Sequence, residues 1–411
     1  MKNIFKLLAF LPLLTACDDL FEPALENNRD LEAMYKEPSY AQGILANAYI
    51  ILPYETSPTS DLATDDAVTN EISSNYLRMA TGSWTANNNP VSQWQNRFNA
   101  IQYINLFLEN VDKVEWAKDE RISTMFLDRL KGEAYGLRAL HMYYLLRAHG
   151  GKIADGTLMG VPIILKSEGP DADFNHARAT YSDCVKQIME DADKAIELLP
   201  LDYKKFADSE IPEKYKNIGV TNASDYRRVC GEEYRGLMSG RIALAVRAQT
   251  ALLAASPAFQ SGSGMTWEQA ADYAAEIIEK ANGGGGCGLD ADGLEWYTLA
   301  DKDYGTGGSP AEVIWRSSTD DNNTLETANF PPSLYGNGRV NPTQNLVDAF
   351  PMANGYPISE TSGNYDAENP YDNRDPRLAK YIVYNGSKQG PSDTEIITCL
   401  LYTSPSPRDC S

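Results

Sequence analysis

Histidine is the side chain most often used for acid–base chemistry near neutral pH, and this sequence contains three of them. His141 is predicted on the polar edge of a long helix, His149 at the end of that helix and His176 in a loop. None belongs to a His-Glu-x-x-His pair, the spacing that places two zinc ligands on one helical face. We therefore expect no catalytic histidine and no metal site.

Carboxylates offer a second kind of chemistry, because two of them held about 5–10 Å apart can hydrolyse glycosidic bonds. The chain has 57 acidic residues, so short acidic clusters are expected on a solvated surface without any catalytic role. A surface role is the favoured interpretation, and a secreted glycan-degrading enzyme is kept as the alternative. The clusters are Asp61/Asp65/Asp66, Asp171/Asp173 and Asp290/Asp292.

Gly283, Gly285 and Gly288 have the spacing of the dinucleotide-binding fingerprint. That fingerprint requires a strand before the glycines and a helix after them, whereas here they follow a predicted helix and enter an irregular stretch. We interpret them as a linker and predict no cofactor.

The overall charge narrows the range of partners. Lys and Arg number 36 against 57 acidic residues, which gives a net charge of −21 over 411 residues. A chain this acidic repels phosphate backbones, so nucleic acid is excluded as a partner. The 43% apolar content supports one large folded domain or two smaller ones and excludes intrinsic disorder.

The N-terminus carries the pattern of an exported, lipidated protein. Lys2 and Lys6 precede a short apolar stretch, which ends in Leu-Thr-Ala before Cys17. This ending resembles a bacterial lipobox, in which the cysteine is lipidated and becomes the first mature residue. We predict a signal peptide over residues 1–16, lipidation at Cys17 and an acidic tether over residues 17–30.

The elements that must position any site are mainly helices. Apolar residues recur at steps of three and four over residues 40–52, 124–148, 180–199, 239–255 and 266–281, with a less regular stretch at 94–114. Thr180 with Asp183 and Thr266 with Gln269 have the spacing of capping boxes. Helices arriving in pairs predict a tetratricopeptide-like array over residues 31–282.

From residue 283 onward Gly, Asn, Asp, Ser and Pro dominate, and we predict a loop-rich subdomain over residues 283–398 packed on the helices. Residues 313–315 and 381–384 are predicted as short strands, with Trp315 as a core residue of the first. Among the cysteines, Cys184 is expected in the core, and disulfide pairing among Cys184, Cys230 and Cys287 stays open.

Five segments, taken in order, resemble the SusD/RagB family of outer-membrane lipoproteins of Bacteroidetes. Residues 132–151 resemble the family's "AEAxFLRAxxYFxLxxxYGG" helix, and residues 160–164 its "GVPL" segment. Residues 178–180 are similar to the start of "RxTxxEVY", residues 342–350 to "PTqeLVdaf" and residues 373–378 to "nRDPRL". The family's continuation beyond this last segment is missing here, and residues 399–411 match nothing in it. We interpret them as an artefactual tail on a truncated subdomain.

The resemblance implies a mostly α, tetratricopeptide-like fold with a loop-rich ligand-binding subdomain. It implies a non-catalytic lipoprotein, surface-exposed on the outer membrane, that captures a glycan or a peptide. It also implies delivery of that nutrient to a SusC-like TonB-dependent transporter. A tetratricopeptide-type scaffold that recruits proteins through its helical groove is the third interpretation.

In relatives the ligand face is built from early loops and from loops after the helical array. Tyr and Trp cover the apolar face of a sugar, while amide side chains meet its hydroxyls. Trp84 is the leading candidate because its loop is rich in Gly, Ser and Asn. Arg374, Asp375 and Arg377 are expected to form a structural ion-pair network. The candidate ligand-binding residues are Tyr76, Trp84, Asn88, Trp296, Tyr297, Tyr304 and Tyr335.

Overall fold

The computed structural model describes residues 31–53, 60–85, 87–282, 313–316, 322–390 and 392–397. Helices dominate these residues. The α-helices are α1 Pro38–Ile50, α2 Asn75–Ala80, α3 Trp94–Asn110, α4 Glu120–His149, α5 Tyr181–Leu198, α6 Glu213–Lys216, α7 Ala223–Cys230, α8 Gly240–Ala255, α9 Gln260–Ser263, α10 Trp267–Asn282, α11 Thr324–Asn329, α12 Gln344–Ala349 and α13 Pro376–Tyr381.

Strands are few and short in the described part of the chain. They form three antiparallel pairs: β1 with β4, β2 with β3, and β5 with β6. The strands are β1 Ala67–Thr69, β2 Gly151–Lys152, β3 Leu158–Met159, β4 Val340–Pro342, β5 Lys388–Gln389 and β6 Thr394–Glu395.

The helix termini form where local sequence supplies a capping group. The Thr180 hydroxyl accepts a hydrogen bond from the Asp183 amide, and the Thr266 hydroxyl accepts one from the Gln269 amide. Each satisfies a backbone donor that the first turn of a helix leaves without a partner. Both predicted capping boxes are therefore confirmed.

The long helices pack one on the next in chain order, as in a tetratricopeptide-like array. Successive contacts join α1 to α3, α3 to α4, α4 to α5, α5 to α8 and α8 to α10. Each helix contributes an apolar stripe to one continuous core that includes Ile104, Leu137 and Ile188. The mostly α, tetratricopeptide-like fold class is thereby confirmed.

Two glycines on α4 allow later parts of the chain to pack closely against this helix. A Cβ atom on Gly132 would lie 2.6 Å from Leu199 Cγ, and one on Gly136 would lie 2.6 Å from Met238 Cγ. Real Cβ atoms do not approach that closely, so these positions require residues without a side chain.

Polar bonds inside the array fix how its helices sit against one another. The Arg138 guanidinium donates to both carboxylate oxygens of Asp191 at 2.7 and 2.8 Å, and to Asn105 Oδ1 at 3.0 Å. Arg138 and Asp191 are buried, so this bidentate pair links α4 to α5 away from solvent. The Asn105 amide in turn donates to two carbonyls of the loop at residues 164–166.

The two predicted short strands are wrong. Residues 313–316 form no strand; instead Trp315 packs beside the main core and its Nε1 donates to the Gly236 carbonyl at 2.8 Å. Residues 381–384 likewise form no strand. Leu378 on α13 and Ile382 at its C-terminal end are four residues apart and pack into the same small cluster, which is helical spacing. Apolar runs this short fit either periodicity.

Of the cysteines, Cys184 and Cys230 are buried free thiols, which confirms the core position of Cys184. Cys287 lies outside the described residues. Among the described helices, none is long and apolar enough to cross a bilayer.

Candidate functional site

The segment between α1 and α3, residues 60–93, carries three of the candidate ligand residues and is called here the early segment. Tyr76 lies on α2, and Trp84 follows that helix. The Ser83 amide and hydroxyl both bond the Arg78 carbonyl, at 2.9 and 3.2 Å, so the chain before Trp84 is fixed to the end of α2. Trp84 is 48% exposed despite this fixed backbone.

Trp84 and Asn88 flank one tight turn. The amide of Asn88 donates to the Thr85 carbonyl at 3.0 Å, and the amide of Thr85 donates back to the Asn88 carbonyl at 3.4 Å. The Asn88 side chain is exposed. An indole and a carboxamide are thus presented on one short hydrogen-bonded unit.

The late segment, residues 322–390 and 392–397, presents the fourth described candidate. Tyr335 is 96% exposed and has a φ of 64°, in the left-handed region that non-glycine residues seldom adopt. The loop around it is tightly closed: the Asn337 amide donates to the Thr327 carbonyl and the Gly338 amide to the Phe330 carbonyl, at 2.9 and 3.0 Å. A strained backbone that holds an aromatic ring in solvent suggests a functional role for that ring.

Early and late segments are joined directly, through what we call the junction: the pair β1–β4 and the side chains beside it. Ala67, Val68 and Thr69 pair with Pro342, Asn341 and Val340. The Asn70 side chain donates from Nδ2 to the Asn337 backbone carbonyl at 3.1 Å, and the Arg339 guanidinium donates to Asn70 Oδ1 at 3.2 Å. The Thr343 hydroxyl also donates to the Asp65 carbonyl.

The structure therefore places Tyr76, Trp84 and Asn88 on one segment and Tyr335 on another that is hydrogen-bonded to it. Trp296, Tyr297 and Tyr304 lie outside the described residues, as does Cys17. The binding role of all seven candidates stays a prediction.

One histidine of α4, which contacts α1 and α3, does not lie on the polar edge where it was expected. His141 is completely buried, not on a polar edge. Its Nε2 lies 3.1 Å from the Ala48 carbonyl, so Nε2 carries the proton and donates. Its Nδ1 then accepts from Arg97 Nη1 at 3.2 Å. Burial, with Arg97 adding to it, lowers the pKa of His141 to about 3, so the ring is neutral.

Arg97 is itself unusual, because it is buried without an acidic partner. No carboxylate of the described residues pairs with its guanidinium, and its Nε has no hydrogen-bond partner there. Burial lowers the pKa of Arg97 to about 10, so the side chain is still charged at neutral pH. A neutral imidazole is the acceptor that this cation retains.

A second histidine, also passed over in the sequence, holds the end of the early segment. The backbone N–H of Gln93, one residue before α3, donates to His149 Nε2 at 3.0 Å. Trp94 packs edge-on against the same ring, with centroids 5.4 Å apart. Burial, and then the nearby Arg178, lower the pKa of His149. The signal in the sequence was the position of His149 at the end of α4, where a loop must pack.

One of the acidic clusters has a structural role in the part of the chain that the structure describes. Asp65 and Asp66 contribute their backbone carbonyls to the junction, and their side chains are exposed. No group of three metal-binding side chains occurs within those described ranges. Asp375 pairs with Arg377, as expected, whereas Arg374 donates to three backbone carbonyls, those of Val347, Phe350 and Pro370.

What the assembled groups can do is bind a polyhydroxylated, uncharged molecule. Exposed aromatic rings cover the C–H faces of a sugar, and the neighbouring carboxamides exchange hydrogen bonds with its hydroxyls.

Comparison with protein families finds two matches along the chain. Residues 25–214 match a SusD-like family model described as "starch-binding associating with outer membrane", and residues 311–400 match the model of the SusD family. No curated protein sequence matches the chain.

Several solved structures share the fold. A SusD-like protein from Bacteroides fragilis superposes with a TM-score of 0.62 at 19% identity, over 89% of this chain and 64% of that one. A SusD-like carbohydrate-binding protein from the same species gives 0.58 at 20%, over 88% and 62%. A SusD superfamily protein from Bacteroides vulgatus gives 0.52 at 18%, over 75% and 61%. The chain thus spans less than two thirds of the length of each of these three proteins.

Proposed function

Because this chain belongs to the SusD family, we propose that it is a non-catalytic lipoprotein that binds a glycan at the outer membrane and delivers it to a SusC-like TonB-dependent transporter. The matched family model is described as starch-binding in association with the outer membrane, which supports the class of ligand and the location. One of the similar structures is a SusD-like carbohydrate-binding protein, which supports the same class of ligand.

One observation carries the proposed glycan face: exposed aromatic rings stand on loops with fixed backbones. Trp84 and Tyr335 are two such rings among the predicted ligand residues, and the junction connects the segments that bear them. An exposed ring on an ordered backbone leaves its face free for a ligand to stack on, and this supports the proposed face. Trp296, Tyr297 and Tyr304 are proposed as further contacts from residues 283–398.

The remaining organisation belongs to the same proposal. A signal peptide over residues 1–16 directs export, Cys17 carries the lipid, and residues 17–30 tether the helical region 31–282 to the membrane. One acyl chain anchors weakly, whereas the several chains of a bacterial lipoprotein anchor firmly.

The glycan face is tested by calorimetry on the Cys17→Ala chain, using maltoheptaose first and then a panel of other oligosaccharides. Trp84→Ala should weaken binding about tenfold or more, since a stacked ring contributes about 1.5–3 kcal/mol. Trp267→Ala is the matched control, because Trp267 is also 48% exposed but lies on α10. Equal affinity for the Trp84→Ala variant and the parent would contradict the assigned face.

The forces at this face can be tested separately by titrating salt. A neutral glycan bound by stacking should keep its affinity between low and moderate ionic strength, because screening acts on charges. A steep loss of affinity with added salt would show that a charged ligand is bound instead.

The transporter and the lipid anchor need membranes. A complex recovered from native membranes by an affinity tag should contain a β-barrel partner, and an interface of this permanent type buries upwards of about 2,000 Å². Cys17→Ala should release the chain from the membrane fraction. Recovery of no barrel protein, or retention of the variant in membranes, would contradict the corresponding part of the proposal.

A further inference from the structure

The two helix ends that flank the early segment meet at one imidazole. The chain leaves the helical array at the end of α1 and returns to it at the start of α3. His141 Nε2 donates to Ala48, two residues before α1 ends, and His141 Nδ1 accepts from Arg97, in the first turn of α3.

The connection is chemically specific because it needs a donor and an acceptor on one rigid ring. The Ala48 carbonyl can only accept a hydrogen bond, and the Arg97 guanidinium can only donate one. A neutral imidazole with its proton on Nε2 meets both needs at once. An imidazolium cannot, since its second nitrogen would present a proton to the guanidinium.

From this geometry we propose that His141 is the positioning residue of the early segment: it sets the spacing between the end of α1 and the start of α3, and so holds the loop that presents Trp84 and Asn88. This proposal rests on the proposed function only for the role of the loop in binding a glycan. The geometry of the connection is independent of any ligand.

A pH dependence follows, because only the neutral ring makes both bonds. The charged group facing His141 from α3 is Arg97, and protonation would place two cations in contact. From α1 the contact is the uncharged Ala48 carbonyl; its neighbour Tyr49 bonds Glu133 instead, at 2.7 Å. On α4 itself, Tyr144 lies near Arg97. Opening of the early segment should therefore become progressively more favourable as the pH falls below the ordinary pKa of histidine, about 6.5.

Hydrogen–deuterium exchange tests the positioning role without any ligand. His141→Phe keeps a ring of similar size but makes neither bond. We expect protection of the early-segment amides to fall at least about tenfold, and by clearly more than protection in α8 falls. His141→Gln can donate and accept, and should restore most of the protection at neutral pH.

A matched control separates local positioning from general loss of stability. Ile188 is fully buried in α5 and remote in sequence from the early segment. Ile188→Ala should lower protection in α8 at least as much as in the early segment. If His141→Phe gives that same even pattern, or leaves early-segment protection unchanged, the positioning role is wrong.

The pH measurement is made in a His149→Gln background, because His149 also bonds the end of the early segment. Between pH 7 and pH 5 the early-segment protection factors should fall about 25-fold, the change expected when opening restores a pKa of about 6.5. Adding His141→Gln should reduce this change to about twofold or less. An equal pH response with and without His141 would overturn the proposal, whatever the outcome of the glycan measurements.

Discussion

The helical array and the late segment are held together in different ways. In the array, a continuous apolar core runs through α1, α3, α4, α5 and α8. In the late segment, the largest described apolar cluster has three buried members: Val347, Leu378 and Ile382. Arg374 supplies much of the remaining order, because its buried guanidinium donates to three backbone carbonyls of neighbouring loops.

The two regions therefore have different tasks: the array supplies most of the stability, and the late segment presents exposed residues. Burial of apolar area stabilises a fold in rough proportion to that area, so the array carries most of the folding free energy. The late segment is ordered by polar bonds to its own backbone and by the junction with the early segment. Its exposed residues can therefore change without loss of the scaffold, as expected for loops that bind.

The largest effect should come from breaking the buried ion pair of the array. Arg138→Met leaves the Asp191 carboxylate buried without its cation, which costs about 3–5 kcal/mol of the free energy of unfolding. Denaturant unfolding followed by circular dichroism measures it. Lys186→Met is the control, because its pair with Glu190 is exposed and should matter by less than about 1 kcal/mol. Equal effects would show that the array is not held as described.

Acid should weaken the array through His141. The folded-state pKa of about 3 lies below the unfolded value near 6.5, so the stabilisation is complete above pH 6.5 and is lost as the pH falls toward 3. Between pH 7 and pH 5 this amounts to about 2 kcal/mol of the free energy of unfolding. Burial raises the pKa of Glu133, which acts in the opposite direction. The measurement therefore compares how the free energy of unfolding changes between pH 7 and pH 5 in the native chain and in His141→Gln. An equal change in both would contradict the role of His141.

A smaller and more local effect is expected from Arg374→Met. Buried carbonyls left without a donor cost about 1–3 kcal/mol, and the loss should be confined to the late segment. Exchange of amides between residues 344 and 384 should quicken while exchange in α4 stays unchanged. Arg377→Met is the control, since Arg377 is largely exposed. Faster exchange throughout the array would show that the two regions fold as one unit.

The smallest change in stability should follow from Tyr335→Gly. Glycine adopts positive φ without strain, so the free energy of unfolding should be unchanged or rise by up to about 1 kcal/mol. Glycan affinity should nevertheless fall if the ring stacks on ligand. Tyr356→Ala, which removes a half-exposed ring elsewhere in the late segment, should leave affinity unaltered. A marked loss of stability in Tyr335→Gly would assign the ring a packing role instead.

Local sequence was sufficient for the parts of the fold that depend on local spacing. The stripes of α4 and α5 and the caps at Thr180 and Thr266 were all predictable, because helix periodicity and capping involve residues within a few positions of one another. The same rules failed at residues 313–315 and 381–384, where three or four apolar residues fit a strand or a helix end equally well.

The site was less predictable because its contacts are distant in sequence. Whether His141 faces solvent depends on Ala48, 93 residues earlier, packing over it. β1 and β4 have three residues each, too few for a pattern, and their pairing could not be inferred from either one. Exposed loop aromatics such as Trp84 and Tyr335 could be proposed from composition, but not the connection between their segments.

The junction also orders the events of biogenesis. Asn70 and the Asn337 carbonyl that it bonds are 267 residues apart, so a chain made from its N-terminus has completed α1 to α10 before β4 exists. Closing a flexible loop of that length would cost roughly 5 kcal/mol, a cost that the folded array reduces by holding the chain between the two strands. The junction is consequently completed late, after the helices that it connects to the late segment. A polypeptide cut short between α10 and β4 keeps the sequence of α1 to α10 yet cannot make this connection.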